Sequence, residues 1–196
     1  MRQFVVVGHD APTDSDFPLS DLPGSAGRLD LLARSLLAGL LRSHGIRDDT
    51  RVCLVLDGAF TLTVDGNEVR SLHPDERSAA ALLRSTLAER EEAVGQIPVE
   101  TSPGITLTRV GLAETLAAAE GPILRLGADG TPIDEADPPV DPTFVLSDHR
   151  AFTEAERALL DEVADATLSL GPETLHTDQA IAVAHNWLDR ARHERW

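Results

Sequence analysis

Short, wholly apolar runs alternate along nearly the whole chain with segments whose leucines and alanines recur every three or four residues, and few architectures accommodate that alternation. Residues 4–7, 52–56 and 105–110 read as buried strands. Between the first two, Leu29, Leu32, Leu36, Leu37 and Leu40 fall on one face of a helix that begins near Arg28, with Gly45 as a natural stop. Residues 61–64, the Asp65-Gly66 pair and residues 68–69 predict a hairpin. Pro74 can open a helix over 76–92, and residues 112–120 form a shorter one. Strands in alternation with amphipathic helices predict an α/β fold, a mostly parallel sheet with helices on both faces. The length suits one domain over residues 1–196.

Three further apolar runs each end at a corner. They are residues 123–126 before Gly127, 144–146 before Ser147, and 168–170 before Gly171-Pro172. A helix over 153–165 separates the second from the third, and a final helix starts at Thr177 or Asp178 with Ile181, Ala184 and Leu188 on its buried face. Loops at the carboxyl ends of strands are where open α/β sheets bind ligands, so three such corners in one half predict a site built largely from backbone. The proline-rich, acidic stretch 132–142 reads as a surface loop.

Composition narrows the chemistry. All 17 basic residues are arginine against 33 acidic ones, for a net charge of -16. The acidic residues are scattered, which fits a surface adapted to concentrated salt: at molar salt the Debye length is about 3 Å, so neighbouring carboxylates hardly repel one another. A salt-loving source is the expectation. A chain without lysine has no P-loop lysine, and no G-x-G-x-x-G follows the first strand. H-E-x-x-H and G-x-S-x-G are absent too. Cys53 is alone, which excludes an intramolecular disulfide and a cysteine-built zinc site, and the seven histidines show no ligand spacing, so no metal is expected. Asp30 and Arg34 interrupt the longest apolar helical stretch, and the N-terminal apolar run is too short for a secretion signal. The expectation is a soluble, cytoplasmic protein with no membrane association.

Two N-terminal segments carry functional residue types at helix starts, where free backbone amides can meet an anion. One is Asp21-Leu22-Pro23-Gly24-Ser25-Ala26-Gly27-Arg28-Leu29-Asp30; the other is His73-Pro74-Asp75-Glu76-Arg77-Ser78. Taken alone, each also reads as ordinary capping, with acidic groups offsetting the helix dipole. Together with Phe144-Val145-Leu146-x-Asp148-His149, Ser169-Leu170-Gly171-Pro172-x-x-Leu175-His176, and His185-Asn186 and Leu188-Asp189-Arg190 in the final helix, they form a collinear set. That set resembles the archaeal tRNA (pseudouridine-54 N1)-methyltransferase family of the SPOUT superfamily.

The resemblance implies a C-terminal trefoil knot, a homodimer, tRNA as partner and S-adenosyl-L-methionine as cofactor. It places cofactor binding at Leu126, Ser147, Leu170, Gly171, Pro172, Leu175 and Ala180. The family more usually carries glycine at the position of Ser147 and cysteine at that of Ala180. Methylating a ring nitrogen requires alignment of donor and acceptor and removal of a proton. Asp21 and Asp30 are the candidates for hydrogen bonding or proton acceptance at the base, with Arg28 and Arg77 gripping phosphate or a carbonyl oxygen. A local arginine-lined cleft on an acidic surface is expected for RNA. The alternatives are a related knotted protein that binds cofactor or RNA without this chemistry, and a noncatalytic dimeric scaffold.

Overall fold

A computed structural model describes residues 1–192. In chain order its elements are β1 (Arg2–Gly8), α1 (Leu22–Ser25), α2 (Leu29–Leu40), the two-residue strands β2 (Leu41–Arg42) and β3 (Gly45–Ile46), β4 (Thr50–Leu56), β5 (Phe60–Asp65), α3 (Glu76–Ala88), β6 (Val99–Ser102), β7 (Ile105–Thr108), α4 (Leu112–Ala117), β8 (Ile123–Pro132), β9 (Thr143–Ser147), α5 (Glu154–Val163), β10 (Ala166–Ser169) and α6 (Thr177–Arg192). Within these residues one eight-stranded sheet runs in the order β10-β8-β9-β1-β4-β5-β7-β6. The pairs from β10 to β4 are parallel and those from β4 to β6 antiparallel. The sheet is therefore mixed, parallel on the side that carries the three corners.

Successive side chains of a strand point to opposite faces, and the central strands are apolar on both. Phe4 and Val6 of β1, Val52, Leu54 and Leu56 of β4, and Phe144 and Leu146 of β9 pack into one core with the leucines of α2 and α3 and with Ile181, Ala184 and Leu188 of α6. Val5, Val7, Cys53, Val55 and Val145 pack into a second core with Leu112 and Leu116 of α4 and Leu160 of α5. Helices thus cover both faces. Among the described residues no helix is long and apolar enough to cross a membrane.

Two local expectations are corrected, and one strand was not foreseen. Residues 68–69 do not pair with β5; instead β5 turns back on β4 through Asp57-Gly58 and takes β7 as its other neighbour. Val69 is buried, but its amide bonds to the Asp65 carbonyl in a turn. The apolar character that suggested a strand serves packing. β6 was not legible because it alternates half-buried and exposed residues at the sheet edge. Finally, β8 does not stop at Gly127: it pairs with β10 through Leu124 and Arg125, bulges out over 126–130, and pairs again through Thr131 and Pro132. Gly130 permits the return, because a Cβ there would lie 2.6 Å from backbone atoms of Leu168.

A buried polar cluster fastens α6 to β1. The Arg2 side chain, only 1 % exposed, pairs with Asp49 at 2.9 Å and Asp189 at 2.8 Å, and donates to His185 Nδ1 at 3.0 Å. Arg47 meets the other oxygen of Asp189 at 2.8 Å. His185 Nε2 lies 2.9 Å from the Gly39 carbonyl, a pure acceptor, so Nε2 carries the proton and Nδ1 accepts from Arg2. Burial, reinforced by the charges of Arg47 and Arg2, pushes the His185 pKa down to about 4.

Candidate active site

Parallel pairing aligns the carboxyl ends of β1, β9, β8 and β10 along one edge of the sheet. There lies a cavity of about 530 Å³, lined by Arg125 to Asp129 from the bulge in β8, Leu146 to Phe152 after β9, Arg157 of α5, and Thr174, Leu175, Thr177 and Ala180 around the start of α6. A recess of about 180 Å³ shares Leu126, Gly127, Ala128, Thr174, Leu175 and Ala180 with it and adds Ser169 to Glu173. All seven residues expected at a cofactor line this pair of cavities. Ser147 is confined to the larger one, Leu170, Gly171 and Pro172 to the smaller, and Leu126, Leu175 and Ala180 face both.

The two unusual positions are accommodated. The Ser147 hydroxyl donates to the Arg150 carbonyl at 2.5 Å, so it closes its own loop. The Ser147 carbonyl accepts from Thr177 Oγ1 at 2.7 Å, which seats the start of α6 against the end of β9. Ala180, 8 % exposed, supplies a small wall. With Gly127, Ala128 and Gly171 it keeps the lining close to backbone, while Leu126, Leu170 and Leu175 make it apolar. Such a surface suits a flat heteroaromatic group read by backbone polar atoms.

Arg28 and Asp30 meet beside this edge. Gly27 and Arg28 both adopt the left-handed conformation between α1 and α2. Gly27 is required there: a Cβ would lie 1.8 Å from the Asp10 carbonyl oxygen, so this corner packs directly on the loop after β1. Arg28 Nε and Nη2 each donate to Asp30 at 3.0 Å, a two-pronged pair. Burial pushes the Asp30 carboxyl up, but the Arg28 hydrogen bonds and charge, aided by Arg34 and the Leu31 amide, outweigh it and hold the carboxyl below its ordinary range. Asp30 is therefore a poor base and a good holder of Arg28. Asp148 also adds to the field that raises the Arg28 pKa, after the Asp30 hydrogen bond. Asp21 caps α1, accepting from the Gly24 amide at 3.1 Å and the Ser25 hydroxyl at 2.6 Å. Arg77 is exposed on the first turn of α3, apart from the Arg28–Asp30 pair. The structure thus brings Arg28 and Asp30 together but does not gather all four.

A second constellation escaped the sequence. His9, directly after β1, has Nδ1 3.0 Å from Asp148 Oδ1 and Nε2 3.0 Å from Glu156 Oε2. Asp148 also accepts the amides of His9 and Arg150, each at 2.8 Å, and its side chain is 2 % exposed. Arg150 pairs with Asp10. The only sequence signal was the Asp148-His149 step in the 144–149 motif; nothing in the spacing linked it to His9. The lining of the larger cavity carries Arg125, Arg150 and Arg157 with Asp129 and Asp148; Arg125 pairs with Asp129 and Asp161, and Arg150 with Asp10. Among the described residues no cluster of three or more histidine, cysteine, aspartate or glutamate side chains could hold a metal ion.

Comparison with known proteins places this geometry in context. The family model for SAM-dependent RNA methyltransferases matches residues 1–193. The tRNA (pseudouridine(54)-N(1))-methyltransferase of Haloarcula marismortui is 54% identical, with 100% of both chains covered. That of Haloferax volcanii is 50% identical with the same coverage, and that of Methanosarcina mazei 40% identical over 100% of this chain and 94% of its own. Among solved structures, Archaeoglobus fulgidus Nep1 bound to S-adenosylhomocysteine shares the fold with a TM-score of 0.66 at 16% identity, covering 98% of this chain and 99% of that one.

Proposed function

This chain belongs to the SAM-dependent RNA methyltransferase family, and on that premise we infer that it methylates N1 of pseudouridine at position 54 of tRNA. The observation that carries the reading is full-length identity of 50% and more to enzymes of that activity, in a chain whose carboxyl-edge loops line two adjoining cavities. The relatives from Haloarcula and Haloferax also fit the acidic, salt-adapted composition.

The lining fits S-adenosylmethionine: small residues at 127, 128, 171 and 180 leave backbone accessible, the three leucines give an apolar bed, and the Ser147 hydroxyl is turned into its own loop. Leu126, Ser147, Leu170, Gly171, Pro172, Leu175 and Ala180 are the residues that would hold it. When bound, it supplies a methyl group on a sulfonium, already a strong electrophile. The protein's share is alignment and the handling of the N1 proton. Arg28, fixed by Asp30, presents its guanidinium beside the loop after β1 and grips a phosphate or a base carbonyl. Asp30 acts by orienting Arg28, since its carboxyl is held ionised and paired. Asp21 is exposed and free to take a hydrogen bond from the base at its second lone pairs, and Arg77 serves the incoming RNA at longer range. Arg125, Arg150 and Arg157 along the cavity support docking of RNA phosphates there.

The reading includes a trefoil knot, a homodimer and action in the cytoplasm. The bulge of β8 packs against β10, and Ile133, Asp134 and Pro138 share a cleft with Val183, Asn186 and Trp187 of α6, so residues 126–138 touch both of these later elements. This packing of residues 126–138 against β10 and α6 supports the knot. The test has two parts, both at high salt. S-adenosylhomocysteine at about 100 times its Kd should stabilise the fold by about 2.7 kcal/mol, and labelled S-adenosylmethionine should methylate tRNA carrying pseudouridine-54 but not uridine-54. Binding without transfer would leave the related, noncatalytic protein; no binding would leave the scaffold.

A further inference from the structure

We propose that His9 is a positioning residue, a doubly hydrogen-bonded clamp that ties the loop 147–151 to α5 and so fixes the wall shared by the cofactor cavity and the Arg28 corner. The inference rests on the methyltransferase reading of that cavity and adds to it a residue outside the cavity lining.

Three elements meet at the ring. Asp148 follows β9, Glu156 sits in the first turn of α5, and His9 leaves β1. A neutral imidazole has one N–H, yet both ring nitrogens face a carboxylate oxygen at 3.0 Å, so both donate and the ring is an imidazolium. Each carboxylate is in turn committed elsewhere. Glu156 Oε2 accepts the Thr153 amide at 2.7 Å and completes the capping box of α5. Asp148 accepts two backbone amides and stands 3.5 Å from His149. The titratable groups around the ring are therefore Asp148, Glu156 and His149, with the Arg150–Asp10 pair and Arg28 beyond Asp148. Burial of His9 disfavours the charged ring, but the two carboxylates outweigh it and raise the pKa above the usual histidine value, in agreement with the geometry.

The consequence is mechanical. Asp148 and Arg150 belong to the same loop as Ser147 and His149, and all four line the larger cavity. Gly27, packed on the Asp10 carbonyl, couples the loop after β1 to Arg28. Losing the ring cuts the tie of the loop to α5, with the His9 amide left as the hold on Asp148, and a displacement of about 1 Å between reacting groups can cost about a hundredfold in rate.

The experiment compares wild type, His9→Leu and Glu156→Gln, with circular dichroism and melting temperature to establish that each is folded. Glutamine at the third helical position retains the capping box, so α5 survives in Glu156→Gln. The His9 ring is followed by NMR titration, and turnover is measured against pH with saturating tRNA and S-adenosylmethionine. In wild type the ring titrates above ordinary histidine, and turnover loses one component over the same pH range. In Glu156→Gln both move together to lower pH, because one of the two carboxylates is gone. His9→Leu lowers turnover ten- to a hundredfold and lacks that component. If wild type transfers methyl groups while Glu156→Gln leaves the turnover profile unmoved, or His9→Leu keeps full turnover, the clamp is overturned and the methyltransferase reading stands. If wild type transfers none, that reading fails first, and a ring that titrates at ordinary histidine pH overturns the clamp without reference to activity.

Discussion

Acidification from about pH 8 to about pH 5 should weaken the fold through His185, and the size of the effect follows from its surroundings. In the folded protein Nε2 donates to Gly39 and Nδ1 accepts from Arg2, so a second proton would point an N–H at a guanidinium within a buried site. The pKa falls from 6.5 to about 4. The unfolded chain therefore binds a proton that the folded chain refuses: the contribution is fully present above 6.5 and is lost as pH falls toward 4. A gap of that size corresponds to about 3 kcal/mol in full, of which about 2 kcal/mol is lost by pH 5. For a domain of this length that is a fall in Tm of about 4–8 °C. His9 works in the opposite sense, because its folded pKa is raised and its contribution grows as pH falls. The comparison must therefore be between wild type and His185→Gln, which leaves His9 in place and keeps an amide donor near Gly39. Chemical denaturation at both pH values, in molar KCl, should show the variant losing about 2 kcal/mol less than wild type on acidification. Equal losses would refute the assignment of a neutral, Arg2-bonded ring.

Three further outcomes follow from the site. Asp30→Asn removes the anchor of a partly exposed Arg28 and should cost about 1 kcal/mol in stability, while methyl transfer falls more than about tenfold and S-adenosylhomocysteine affinity, read by calorimetry, stays as in wild type. Gly130→Ala places a methyl 2.6 Å from the Leu168 backbone and should cost about 1–3 kcal/mol, with weakened cofactor binding because the bulge forms the wall at Leu126; an unchanged melting curve would contradict the register drawn through the bulge. Ser147→Ala deletes the bond to the Arg150 carbonyl and should weaken S-adenosylhomocysteine binding by about 1 kcal/mol; tighter binding would mean that the hydroxyl crowds the site.

The strands that are apolar on both faces announced themselves, since β1, β4 and β9 must be buried whichever way they face. The carboxyl-edge corners were legible too, because Leu126, Leu146 and Leu170 each end an apolar run before a small or turn-forming residue, although β8 goes on past Gly127 and β9 takes in Ser147. What the pattern concealed was pairing at a distance. Val69 has the apolarity of a strand residue but satisfies its amide in a turn, and β6 is too polar to stand out at the sheet edge. Strand pairing after a five-residue bulge has no periodic trace, so β8 looked shorter than it is. His9 was invisible for a related reason: its partners lie 139 and 147 residues away, and their identity depends wholly on β1 lying beside β9.

The cluster around Arg2 also sets a timetable for synthesis. Arg2 is made 183 residues before its ring partner, and β1 completes its pairing only when β9 arrives. Non-local contacts of this kind delay folding, and an unpaired, apolar β1 edge is open to the wrong neighbour in the interval. Thr177 and Ala180, which close the cavity, are delivered by the same late helix. Nascent chains halted before α6 should therefore bind no S-adenosylhomocysteine, and the protein becomes competent in one late step, when the helix that completes the pocket also covers β1.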